Sequence, residues 1–137
     1  MEQPAFNRET MMAPLLDACP SFWPAWQSFL DDWGAERDMP MYIALGDLAV
    51  HLLGLLAFGK TSEFDTVFEV VERWHVDGDA YVREAATIGL LEGIQNVTLN
   101  RDPDRLPEFV QWLRPVTRKW WFKLIAYWDG RGTLSED

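Results

Sequence analysis

Residues 41–58 read MYIALGDLAVHLLGLLAF, and this segment decides the fold class. If the segment is helical, apolar side chains lie on nearly every side of it, and Asp47 and His51 are the titratable interruptions. A helix that is apolar on most sides lies in the centre of a protein. The two interruptions argue against a membrane span. We therefore predict a buried central helix that begins at Met41, after Pro40, and ends at Gly59.

The sequence on both sides of this segment also has helical periodicity. Leu occurs 16 times, against 9 Val and 4 Ile, and no stretch alternates as a strand would. The apolar spacings predict helices over about 8–18, 21–33, 41–58, 62–77, 80–97, 104–113 and 116–128. Short loops favour antiparallel neighbours. We predict one all-α domain over residues 1–137, a compact bundle of about seven antiparallel helices, with a flexible tail at about 131–137.

The starts of the first two helices follow from side-chain chemistry. Asn7 is placed to cap the first helix, although Pro14 would then lie inside that helix and could split it. Ser21 is placed to cap the second helix, with Pro24 in its first turn. Asp79 is placed to cap the fifth helix.

Three further side chains carry structural expectations. His75 ends the fourth helix, where a protonated imidazole would be stabilised by the helix dipole. Cys19 lacks the surroundings of a catalytic thiol, so we expect a buried structural residue. Trp120 and Trp121 are adjacent on a helix and point about 100° apart, so one of them should lie at the rim of the core or at an interface.

The overall charge limits the classes of partner. The chain has 12 basic and 22 acidic residues, a net charge of −10, which argues against binding to nucleic acid or to anionic membranes. Residues 1–72 carry a net −9 and residues 101–123 a net +3. A single Cys excludes an internal disulfide, and the N-terminus has no signal-peptide pattern. We expect a cytoplasmic protein. Its negative charge should lie mostly at the end of the molecule that the first half of the chain forms.

Two stretches resemble known helical proteins. Residues 79–90, DAYVREAATIGL, resemble the second helix of a HEAT-type hairpin. That resemblance implies a capping Asp and small residues that face the preceding helix. Over residues 18–22 (ACPSF), 45–48 (LGDL) and 81–96, which end in LEGIQN, the chain resembles small acidic bacterial immunity-type proteins of unassigned function. This resemblance implies a HEAT-like bundle and a cytoplasmic antidote to a secreted toxin, and it brings no catalytic residue.

Acidic residues of the first half predict a docking surface for a basic partner. The candidates are Asp31, Asp32, Glu36, Asp38, Glu63, Asp65, Glu69 and Glu72. A negative field of this kind accelerates association with a positively charged protein. The expected partner is a cognate protein toxin, for example a nuclease with a basic active site. The alternative is that these side chains are an ordinary solvated surface.

A second group of polar side chains lies on apolar helices. Asp47 and His51 are one turn apart, as are Glu92 and Asn96, with Gln95 beside them. If the two helices touch, this group is either a buried hydrogen-bond network or a ligand or metal site. Common catalytic and nucleotide-binding motifs are absent. We therefore predict a non-enzymatic binding protein without cofactor or metal. A metal-dependent enzyme or ligand binder, and a HEAT-like scaffold, are the alternatives.

Overall fold

The computed structural model describes residues 3–36, 38–132 and 134. These residues form seven α-helices and no strand, with 75% of the structure helical, which confirms the predicted all-α bundle. The helices are α1 (Met12–Ala18), α2 (Trp23–Trp33), α3 (Met41–Ala57), α4 (Phe64–Asp77), α5 (Ala80–Glu84), α6 (Glu92–Arg101) and α7 (Pro115–Trp128). A π-helical segment, Ala85–Leu91, joins α5 to α6, and 3₁₀ segments cover Pro20–Phe22 and Pro103–Trp112. Among the helices of this described part, none combines the length and apolar character needed to cross a membrane.

α3 is the central helix of the bundle, as its apolar sequence predicts. It packs mainly against the π-helical segment and α6. Its buried residues are Met41, Ala44, Leu45, Leu48, Ala49, Leu52, Leu53 and Leu56. The predicted inner stripe of α4 is also buried, namely Phe64, Val67, Phe68, Val71 and Trp74. Burial of each large apolar side chain contributes roughly 1.5–3 kcal/mol, so these two helices supply much of the stabilising core.

Residues 80–101 form one continuous rod whose small residues face α3. A Cβ atom on Gly89 would lie 2.7 Å from Leu45 Cδ1, and one on Gly93 would lie 3.3 Å from the Ala49 side chain. The HEAT resemblance implied that the small residues face the preceding helix, α4. The π-helical segment contacts α4 far less than α3, so that expectation is wrong for Gly89. The capping of this rod is as predicted, because Asp79 accepts a 2.9 Å hydrogen bond from the Val82 amide.

The first helix begins later than its sequence predicted. Asn7 Oδ1 accepts hydrogen bonds from the amides of Glu9 and Thr10, but the side chain closes a turn that precedes the helix. α1 starts at Met12, which places Pro14 in the first turn. Proline is tolerated there because first-turn amides have no partner within the helix. The predicted start at residue 8 was therefore wrong, and Pro14 explains why.

Two other segments differ from their predicted form. The predicted cap Ser21 lies within the 3₁₀ turn Pro20–Phe22, and α2 begins at Trp23 without a side-chain cap. The predicted sixth helix is a 3₁₀ segment, because Pro107 in its interior cannot donate the backbone bond of an α-helix. The fifth predicted helix continues to Arg101.

The C-terminal helix places its two adjacent tryptophans as predicted. Trp121 is buried and Trp120 lies half-buried at the rim of the core. Trp120 forms part of a groove of about 460 Å³ that also includes Thr87 and Ile88. Of the tail predicted to be flexible at about 131–137, residues 133 and 135–137 lie outside the described residues.

The contact between Gly89 and Leu45 gives a test of the packing. We expect Gly89→Ala to lower the free energy of unfolding by about 1–3 kcal/mol, because the new methyl group overpacks the α3 contact. The matched control is Gly46→Ala in α3, where a Cβ meets nothing within 4 Å. That substitution should raise stability by about 0.5–1 kcal/mol through helix propensity. Urea unfolding followed by tryptophan fluorescence measures both, and equal stabilisation by the two variants would contradict the packing.

Candidate functional site

Four polar side chains from separate parts of the chain meet beside α3. We call Cys19, Ser21, His51 and Glu63 the Cys19 cluster. Cys19 and Ser21 lie at the junction of α1 and α2, His51 lies on α3, and Glu63 directly precedes α4. Cys19 is fully buried, His51 and Glu63 are half-buried, and Ser21 is exposed. The cluster therefore opens to solvent at Ser21.

Ser21 connects the members of the cluster. Its Oγ lies 2.7 Å from His51 Nε2 and forms a short hydrogen bond with Glu63 Oε1. The Ser21 amide donates to Glu63 Oε2 at 3.2 Å. Cys19 Sγ lies 3.6 Å from Glu63 Oε1 and 3.6 Å from Ser21 Oγ. Glu63 thus accepts hydrogen bonds from a hydroxyl, an amide and a thiol.

The proton count of this cluster argues against a serine nucleophile. The Ser21 hydroxyl has one proton, which it donates to Glu63 Oε1. His51 Nε2 must then donate to Ser21 Oγ, so the imidazole cannot remove the hydroxyl proton. In a catalytic triad the carboxylate instead holds the histidine, which accepts from serine. The cluster therefore does not activate Ser21.

Burial also disfavours the charged forms of the thiol and the imidazole. Desolvation raises the pKa of Cys19 to about 11, and the negative charge of Glu63 adds to this shift. Desolvation lowers the pKa of His51, although Glu63 opposes that change. A neutral buried thiol is a poor nucleophile at neutral pH. The expectation of a buried Cys19 is confirmed.

The structure does not bring the predicted polar group of α3 and α6 together in the core. Asp47 and Asn96 are exposed, and Glu92 is half-buried. Gln95 is buried and donates a 3.1 Å hydrogen bond to the Trp121 carbonyl. Burial raises the pKa of both Asp47 and Glu92. His51 instead forms a hydrogen bond with Ser21, a residue that was predicted to cap a helix. The sequence analysis therefore missed Ser21 and Glu63 as neighbours of His51.

Four of the eight predicted docking acids have hydrogen bonds or ion pairs with other residues, and four have none within the described residues. Glu63 belongs to the Cys19 cluster, and Glu72 accepts hydrogen bonds from the amides of Val116 and Thr117 at the start of α7. Two others form ion pairs, Asp38 with Arg8 at 3.6 Å and Asp65 with Arg114 at 3.2 Å. The remaining acids are exposed and have no hydrogen bond or ion pair within the described residues, namely Asp31, Asp32, Glu36 and Glu69.

A second buried network surrounds His75. Its Nδ1 lies 3.0 Å from Thr117 Oγ1 and its Nε2 lies 3.0 Å from Thr87 Oγ1. Burial lowers the pKa of His75 to about 4, although the nearby Glu72 charge opposes the shift. The expected protonated His75 at the helix end is therefore wrong, since the imidazole is neutral at pH 7 and joins α4 to α7 and to the π-helical segment.

Sequence comparison places the chain in a family. The model for a domain of unknown function, DUF7674, matches residues 12–129. The chain belongs to this family. The DUF7674 match spans α1 to α7 and contains both the Cys19 cluster and the His75 network. No curated protein and no solved structure shows a significant match.

Glu63 and Glu69 provide a matched pair that separates a structural acid from a solvated one. We expect Glu63→Gln to lower the free energy of unfolding by about 1–3 kcal/mol, because the amide cannot replace a carboxylate that accepts three hydrogen bonds. Glu69→Gln should change it by less than about 0.5 kcal/mol. Urea unfolding measures both variants. Equal effects would show that the Cys19 cluster does not stabilise the fold.

The His75 network predicts loss of stability in acid. As pH falls below 6.5, the unfolded chain binds a proton at His75 before the folded chain does, because the folded pKa is about 4. The free energy of unfolding should fall by about 2 kcal/mol between pH 7 and pH 5. The pKa of Glu72 is also lowered, so its contribution is lost at still lower pH.

The His75→Gln variant tests the source of this pH dependence. Its free energy of unfolding should change much less between pH 7 and pH 5, since the glutamine side chain does not bind a proton in this range. Thermal unfolding at several pH values compares it with the unaltered chain. An unchanged slope in the variant would assign the acid sensitivity to other groups.

Proposed function

We propose that this DUF7674 protein is a non-enzymatic, immunity-type inhibitor that neutralises a cognate bacterial toxin in the cytoplasm by direct contact. One observation supports the proposal most strongly. Exposed carboxylates flank an exposed tryptophan in the sequence where α2 leads into α3. We call this the α2–α3 surface and define it by Asp31, Asp32, Trp33, Glu36 and Tyr42.

The α2–α3 surface combines charge with aromatic anchors. Its three acids are exposed and have no ion-pair partner within the described residues. Trp33 and Tyr42 are each 37% exposed. Tryptophan and tyrosine are enriched among the residues that contribute most to protein–protein binding. The acids of this surface would favour a basic partner and repel an acidic one.

Asp38 and Met39, which lie between α2 and α3, are held in place before any partner binds. Arg8 donates a 2.6 Å hydrogen bond to the Met39 carbonyl and forms an ion pair with Asp38. Its guanidinium group also lies 5.5 Å from the centre of the Tyr81 ring. Preorganised residues lose less conformational entropy on association, so these contacts at residues 38 and 39 support the proposal.

The charge and the chemistry of the side chains suggest how inhibition would occur. A net charge of −10 attracts a basic protein over a distance of about 10 Å at moderate ionic strength. Carboxylates at the α2–α3 surface would then occupy Lys and Arg side chains that otherwise bind phosphate. The unactivated Ser21 and the neutral Cys19 thiol support a protein that binds without catalysing a reaction.

Charge reversal tests the proposed surface. If the neighbouring gene encodes the expected basic toxin, the Asp31→Lys/Glu36→Lys variant should weaken binding to that toxin by at least about tenfold. The control is Asp17→Lys/Asp104→Lys, which makes the same change in net charge at two other exposed acids. Isothermal titration and survival of toxin-expressing cells measure the effect. The unaltered chain should bind and protect.

Two results would contradict the proposal at different levels. No complex at micromolar concentration, together with no protection of cells, would exclude the immunity function. Equal weakening by both double variants would show that net charge matters but that the α2–α3 surface is not the contact.

A further inference from the structure

We propose that Cys19, His51 and Glu63 form a binding site for zinc. This inference goes beyond the proposed inhibitor function and does not depend on it. The observation is that a thiol, an imidazole and a carboxylate, each a zinc ligand, converge from three separate elements of the fold. Their ligand atoms all lie within 4.8 Å of one another.

The spacing of the three atoms is close to that of a zinc site. Tetrahedral zinc has bonds of about 2.0–2.3 Å, so its ligands lie about 3.2–3.8 Å apart. Cys19 Sγ and Glu63 Oε1 are already 3.6 Å apart. The remaining separations need to shorten by at most about 1.6 Å, which side-chain rotation can supply.

The orientation of His51 also suits a metal. Its Nε2 is the ring nitrogen that faces the cluster, because this atom contacts Ser21 Oγ. Zinc binding at Nε2 requires the imidazole proton to move to Nδ1, and the Cys19 proton to leave to solvent. The zinc ion would then replace the thiol proton that now points to Glu63, while the Ser21 hydroxyl keeps its own proton.

Ser21 would orient the site without being a ligand. Its amide donates to Glu63 Oε2, while Oε1 faces both the Ser21 hydroxyl and Cys19 Sγ. Such outer hydrogen bonds fix the direction of a ligating carboxylate. Ser21 is exposed, so the ion has a path from solvent to the buried thiol.

Donor chemistry selects zinc among common cations. Thiolate and imidazole ligands favour zinc over magnesium and calcium, which prefer oxygen. Three protein ligands leave a fourth position for water or for a donor from another molecule. Bound zinc would tie the α1–α2 junction to α3 and to the start of α4, so the fold should gain stability.

Metal binding by the full chain is the direct test. Protein purified without chelator and loaded with zinc should retain about one equivalent after desalting, and its melting temperature should fall on addition of EDTA. Cobalt(II) provides an independent readout, since a thiolate ligand gives a charge-transfer absorption in the near ultraviolet. Cys19→Ala should lose that absorption, and Cys19→Ala, His51→Gln and Glu63→Gln should each lose the retained metal.

One matched variant should keep the metal. Glu69→Gln removes an exposed carboxylate on α4 that lies outside the Cys19 cluster. If Cys19→Ala fails to fold by circular dichroism, alkylation of the unaltered chain replaces it, and zinc should slow iodoacetamide modification of Cys19. The absence of both stable zinc retention and the cobalt–thiolate band in the unaltered chain would overturn the proposal. Unchanged zinc binding in the Cys19 and His51 variants would also overturn it, because it would indicate surface carboxylates.

Discussion

The close contact between α3 and the rod of residues 80–101 is the constraint on which the rest of the arrangement depends. α3 has apolar side chains on most of its surface and must be covered by neighbours, because exposed apolar area is unfavourable in water. Gly89 lets the rod approach Leu45 at a distance that any larger residue would disturb. The rod covers one side of α3. His51, which lies on α3, contacts Ser21 at the α1–α2 junction.

Burial of this core explains why two of the predicted surface acids face inward. Polar groups within or beside an apolar core must find hydrogen-bond partners, because an unpaired buried group is costly. Glu63 accepts from the Cys19 and Ser21 side chains, and Glu72 accepts from amides at the start of α7. Both carboxylates are therefore structural in the folded chain. The docking function that we propose is therefore assigned to acids without such hydrogen bonds, chiefly those of the α2–α3 surface.

Two regions of the molecule could therefore have separate roles. The α2–α3 surface is charged, exposed and aromatic, which suits recognition of a basic protein. The Cys19 cluster is recessed and contains zinc-type donors, which suits a bound ion. Zinc at the cluster would stabilise the junction from which α2 begins. The two proposals remain separable, since their variants and their measurements differ.

The amino-acid sequence by itself determined the all-α class, the central position of α3, the buried stripe of α4 and the Asp79 cap. These features depend on local periodicity and on neighbouring residues, which a single sequence contains. Tertiary structure alone decided that Ser21 and Glu63 meet His51, since these contacts join residues separated by 30 or 42 positions in the chain. It also decided that His75 is neutral, because the charge of an imidazole depends on burial and on partners from other helices.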